Sequence, residues 1–98
     1  MPTASKKEIV LNVANKTGRP SAEVSQVCQS FLDQIVEELA SGNRLEFRDF
    51  GVFELKRRKE RIARNPKTGE AVHVPARTVV AFKPGRIMKE RVVTVVPN

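Results

Sequence analysis

The chain has 98 residues, enough for one domain with one modest core. Eighteen Lys and Arg against eleven Asp and Glu leave a formal charge of +7, so an acidic partner is expected. A single Cys and a single His exclude a disulfide framework and a Cys/His metal cluster built within one chain.

The charge is unevenly placed. Residues 1–55 hold six cations and eight anions, whereas residues 56–98 hold twelve and three. The basic face therefore belongs to the second part of the chain. No apolar run is long enough to span a bilayer, and no signal-peptide core follows Met1, so a cytoplasmic, reducing setting is expected. There is no internal repeat or low-complexity tract.

Residues 1–4 read as a frayed start. Ser5-Lys6-Lys7-Glu8 fits a capping box, with Ser5 capping a helix and Glu8 reaching back to the Ser5 amide. Ile9, Val10, Val13 and Ala14 then share one helical face, and Thr17-Gly18 ends the helix. Pro20-Ser21 opens a second helix over about 21–40, with Ser21 as the candidate N-cap. Its stripe is wide: Val24, Val27, Cys28, Phe31, Leu32, Ile35, Val36 and Leu39. Two short helices do not cover such a stripe, so a sheet or a second copy must.

Ser41-Gly42-Asn43 breaks that helix. Leu45 and Phe47 alternate with Arg44, Glu46 and Arg48, as a half-buried strand does. Asp49-Phe50-Gly51 turns the chain into a second strand carrying Phe53 and Leu55. Val79 to Phe82 reads as a strand re-entering the body. Lys83-Pro84-Gly85 turns it, and Arg86 to Arg91 reads as a short helix. The β-branched run Val92 to Val96 does not suit a helix, and no role is assigned to it.

Between these strands lies the stretch on which the functional reading turns. Arg58 to Glu70 is strongly basic and has one large apolar side chain, Ile62. Asn65-Pro66 followed by Thr68-Gly69 reads as a turn, since Pro fixes φ and Gly accepts positive φ. The legs, Phe53 to Arg64 and Glu70 to Val80, form a long hairpin whose outer half has nothing to pack against. Pro75 interrupts the return leg, which fits an edge position or a bulge at the arm's base. Such a ribbon is costly to order alone, and a polyanion would order it. The bland reading is a cation-rich, aggregation-resistant edge. A solvated edge needs neither the long extension nor an apolar tip.

Asp49-Phe50-Gly51-Val52-Phe53, the tip Arg64-Asn65-Pro66-Lys67-Thr68-Gly69, and Phe82-Lys83-Pro84-Gly85-Arg86 resemble the bacterial histone-like HU and integration host factor family. The resemblance runs from about Lys6 to Arg91. Ala63 departs from it, standing where the family usually has Gly, and the tail after Arg91 exceeds the usual end of the fold. The resemblance implies an α+β single domain over 1–98. It has two N-terminal helices, a three-stranded antiparallel sheet, a protruding β-arm at about 57–77 and a short C-terminal helix. It also implies an intertwined homodimer, with a heterodimer of related chains possible. By the same resemblance the arms are expected to lie in the DNA minor groove with Pro66 wedging a base step; this family is itself a standard example of that mechanism.

The implied DNA contacts are Lys6, Lys56, Arg58, Arg61, Arg64, Asn65, Pro66, Lys67, Arg77, Lys83, Arg86 and Lys89. Read alone, the body cations Lys6, Lys83, Arg86 and Lys89 are ordinary surface charges, and Pro66 simply sets a turn. Arginines at Arg58, Arg61 and Arg64 suit a narrow, strongly negative minor groove. His73 on the return leg could touch DNA, although a lone exposed His is usually unremarkable. Cys28 is most simply a small core residue. No catalytic motif, metal site or cofactor site is read. The expected function is architectural: bending duplex DNA and organising the nucleoid. The alternatives are a sequence-selective integration-host-factor-like subunit and an RNA-binding basic protein.

Overall fold

The computed structural model describes residues 2–97; Met1 of the frayed start and Asn98 of the tail lie outside them. Three helices and five strands follow in the order α1 (Lys6–Thr17), α2 (Ser21–Ala40), β1 (Leu45–Phe47), β2 (Gly51–Arg58), β3 (Arg61–Arg64), β4 (Ala71–Val74), β5 (Arg77–Pro84) and α3 (Arg86–Val92). No described helix is long and apolar enough to cross a membrane.

The helix termini follow local chemistry. Ser5 Oγ accepts from the Glu8 amide at 3.2 Å and caps α1. Only this half of the capping box forms among the described residues. Gly18, at φ 69°, returns its amide to the Ala14 carbonyl and closes α1. At α2 the expectation shifts by one residue. Pro20 occupies the cap position without a side-chain bond, and Ser21 is already helical. Near the end of α2, Asn43 from the following turn and Gln34 from the helix itself donate to the Glu38 carboxylate at 2.8 and 2.7 Å. Those two bonds, Asn43 first, hold its pKa below the usual carboxylate range.

The three-stranded sheet runs β1-β2-β5, all antiparallel. Its register puts Leu45, Phe47, Phe53, Leu55, Val80 and Phe82 on one face. That face meets α2 through Phe31, whose ring lies 5.8 Å from Phe47. Phe53 and Phe82 meet with tilted rings, centroids 4.8 Å apart, and Phe50 joins from the rim at 5.8 Å from Phe82. Gly51 sits where this cluster is tightest: a Cβ there would lie 2.5 Å from the Phe82 ring and 2.8 Å from the Lys83 carbonyl.

The core of one chain is nonetheless thin. Among the described residues the buried apolar side chains are Val10, Ala14 and Val24 alone. Phe31 remains 55% exposed and Val36 66%, so the sheet covers only part of the α2 stripe. The chain is also spread out, with a radius of gyration of 18.7 Å. A compact domain of this length would have about 13 Å.

The expected continuous hairpin is two ladders in one register. β2 and β5 pair from Gly51↔Pro84 to Arg58↔Arg77. β3 and β4 then pair as a separate ribbon from Arg61↔Val74 to Arg64↔Ala71. Between them Lys59-Glu60 and Pro75-Ala76 carry no ladder. The gap is two residues on each leg, so Pro75 marks a joint and not a bulge, which would leave unequal legs. Pro75 has no N–H to give, which explains why pairing stops there.

Candidate nucleic-acid interface

The arm tip is built by its own polar groups. Asn65 Oδ1 accepts from the Lys67 amide at 2.9 Å, and Thr68 Oγ1 accepts from the Glu70 amide at 3.3 Å. The Gly69 amide closes the turn onto the Asn65 carbonyl at 2.7 Å, and Gly69 itself takes φ 76°. Asn65 and Glu70 close the ribbon through an amide-to-carbonyl bond of 2.9 Å. Arg64 donates to the Gly69 carbonyl at 3.0 Å and braces the loop from below. These bonds leave Pro66 exposed at the apex, with no amide needing a partner.

The ribbon displays cations on both faces. Arg61 and Ala63 share a face with Val72 and Val74, while Ile62 and Arg64 share the other with Ala71 and His73. A spacing of three along a strand therefore alternates the arginines. Ile62 stays 67% exposed, so the ribbon buries little. His73 Nε2 lies 3.2 Å from a Glu60 carboxylate oxygen at the joint.

Below the joint, the register gathers Lys56, Arg58, Arg77 and Lys83 on the outer face of the sheet. Arg58 and Arg77 stand directly opposite, an arrangement unfavourable for like charges unless an anion joins them. A concavity of about 440 Å³ opens here, lined by cations Arg58, Lys59, Arg61 and Arg77 with Glu60, Val74 and Pro75. Lys59 is the residue that sequence reading passed over. It lies inside the basic run, and that run was the available signal.

The cations divide into two classes. Lys56, Arg58, Arg61, Arg64, Lys67, Arg77 and Lys89 form no ion pair among the described residues. Three of the four body cations are engaged. Lys83 pairs with Glu54 at 3.3 Å, and Arg44 approaches the same carboxylate at 4.0 Å. Arg86 is shared between Asp49 at 3.9 Å and Glu90 at 3.5 Å. Lys6 donates to the Gln29 side chain. Thus Lys56, Arg58 and Arg77 on the sheet face lead through the concavity into Arg61, Arg64 and Lys67 of the arm, with Glu54 and Glu60 set among them. Lys6, Arg86 and Lys89 lie on the helices, outside that strand register. Among the described residues no group of acidic, His and Cys side chains is arranged to hold a metal.

Comparison with known proteins gives a consistent result. The family model described as "Bacterial DNA-binding protein" matches residues 4–93. The "Probable DNA-binding protein HU" of Chlamydia pneumoniae is 40% identical over 99 residues, covering 100% of this chain and 97% of its own. Integration host factor subunit beta of Methylococcus capsulatus is 40% identical over 89 residues, covering 90% of this chain and 94% of its own. Among solved structures, the HU chain of an Anabaena HU–DNA cocrystal superposes with a TM-score of 0.86 at 36% identity. That match covers 94% of this chain and 100% of the HU chain. Fold, tip sequence and overall match agree: the chain belongs to the bacterial DNA-binding protein family that contains HU and the integration host factor subunits.

Proposed function

We propose that this protein is an architectural DNA-binding protein: a homodimer that grips the minor groove of duplex DNA with two arms and bends it. One observation carries the reading. A projecting ribbon displays unpaired cations on both faces and ends in an exposed proline. A ribbon lying in a groove has a phosphate backbone on either side, so cations on both faces are what it needs. HU and integration host factor are standard examples of proteins that insert an apolar wedge there, trading unstacking for a bent duplex that touches more protein.

The proposed roles follow position. Arg58, Arg61, Arg64, Lys67 and Lys59 neutralise phosphates along the arm, and Asn65 shapes the tip. Pro66 presents a rigid, donor-free ring to a base step. Lys56, Arg77 and Lys83 hold the duplex on the sheet, and Lys6, Arg86 and Lys89 flank it. The sheet presents no base-reading set of amide side chains, so preference would come from deformability. The work is binding, without catalysis, and its place is the nucleoid. A second copy would cover Phe31, Leu32, Val36 and Phe50, which one chain leaves open.

The test is bending and footprinting with the protein purified alone, beside affinities for duplex DNA and duplex RNA at one salt concentration. A bent duplex with a DNA preference is expected, since A-form grooves do not suit these arms. Equal binding to RNA without DNA bending would overturn the reading. The equal identity to integration host factor supports a second reading as a sequence-selective subunit. Footprints confined to a few sites would favour it.

A further inference from the structure

The segment after α3 takes no part in the interface above. Val92, Val93, Val95 and Val96 are 54, 78, 61 and 84% exposed. Residues 94–98 lie beyond the family-model match. Solvated tails are polar, and a run of exposed valines is instead a surface in want of cover.

α3 shares this condition. It has no substantial packing against any other element of its own chain, and Ile87 is 47% exposed. A seven-residue helix does not hold by itself in water. Its root, however, is fixed. The Gly85 amide donates to the Phe50 carbonyl at 2.7 Å, and a Cβ on Gly85 would lie 2.8 Å from the Asp49 and Phe50 backbone. Phe50 is the rim of the open aromatic face, 6.2 Å from the Phe47 ring. α3 and the tail therefore leave from the edge of the surface assigned to a second copy. That continuity identifies the occupant as the second copy itself.

A receiving surface exists on the helices. A groove of about 640 Å³ between α1 and α2 is lined by Ile9, Val10, Val27, Cys28, Phe31 and Leu32, with Lys6 at its edge. Beyond Gly85 the chain can reach about 10 Å as helix and about 16 Å more as extended tail. We propose that residues Val93–Val96 of each protomer dock in the α1–α2 groove of the partner, strapping the dimer with an apolar segment that runs past the end of the family-model match. This rests on the homodimer reading.

Cys28 is the only cysteine, so it serves as the probe. Val95→Cys and Val96→Cys proteins are purified reduced, oxidised and run on non-reducing gels. At least one is expected to give a covalent dimer through the partner's Cys28, and the dimer should vanish when Cys28→Ser is added. A cross-link that survives Cys28→Ser is tail to tail and overturns the proposal. So does a bond within one chain, seen as a covalent monomer. Removing residues 93–98 should raise the dimer dissociation constant at least about tenfold, what full burial of even one of the three valines amounts to. Saturated DNA complexes should keep their bend. Sedimentation of the unaltered protein separates the two readings. A folded monomer at micromolar concentration sinks the homodimer itself, whereas a dimer that neither variant cross-links sinks only the strap.

Discussion

Glu54 is an anion in the middle of a surface proposed to hold a polyanion. Its side chain is 24% exposed and sits 3.3 Å from Lys83 and 4.0 Å from Arg44. Lys83 reaches a phosphate only by leaving that carboxylate. Its side chain is 60% exposed, so solvent screens the pair and its net worth is about 0.2–1 kcal/mol. Glu54→Gln removes this cost and also the carboxylate's own repulsion of nearby phosphate. The two together come to roughly 0.5–1.5 kcal/mol, or about two- to tenfold tighter binding. Glutamine keeps the shape and can still accept from Lys83, so the fold should hold. The assay is fluorescence anisotropy on a duplex long enough to contact the sheet, at fixed salt, with Glu54→Gln, Lys83→Ala and the double variant. If Glu54 acts by occupying Lys83, its removal should gain at least twofold less in the Lys83→Ala background. Weaker binding by Glu54→Gln alone, or an identical gain in both backgrounds, would refute the reasoning.

Pro66→Ala keeps every cation, so affinity for linear duplex should fall little, while the bend measured by end-to-end energy transfer and the preference for nicked DNA should both drop. An unchanged bend would make Pro66 a turn residue only. Log affinity should fall against log salt with a slope of roughly −5 to −9, and Arg61→Ala should flatten it by about one unit; a slope near zero in the unaltered protein would rule out phosphate contacts as the main force. Leu32→Asp places a charge on the half-open α2 face and should abolish dimerisation, since an unpaired buried charge costs several kcal/mol; sedimentation as a normal dimer would contradict the dimer assignment. Gly51→Ala drives a methyl group into Phe82 and the Lys83 carbonyl and should cost at least about 1–3 kcal/mol in denaturant titration, whereas a stability within a few tenths of the parent would show that the cluster has room.

The sequence was most legible where chemistry is local. The α2 stripe, the Ser5 cap, the Gly18 terminus and the Asn-Pro…Thr-Gly turn depend on neighbours within a few positions, and each stands where the residues place it. What escaped depends on pairing. Nothing local distinguishes a bulge at Pro75 from a joint; the register of the opposite leg decides it, and that register needs β2 and β5 already aligned. Lys83 and Glu54 are far apart in the chain and meet only across that same ladder, so their competition was invisible. Ser21 was misplaced because Pro20, at φ −59°, already suits the cap position. Lys59 was passed over because its place in the lining of the concavity depends on how the two legs pair and not on its neighbours in sequence.

The joint in the arm fixes one quantity while freeing another. Arg58↔Arg77 and Arg61↔Val74 keep one register across it, so the contour from sheet to tip is a set length. From Arg58 to Pro66 it is about 26 Å at an extended rise of 3.3 Å per residue. Direction is less constrained, because two residues on each leg lack ladder bonds and can turn together. If Pro66 is the wedge, each arm would work like one leg of a pair of dividers: the path length from sheet contact to wedge would stay constant on DNA, while the angle at the joint would follow whatever curvature the duplex adopts. Duplexes of different stiffness would then be marked at the same spacing and differ only in how sharply they turn.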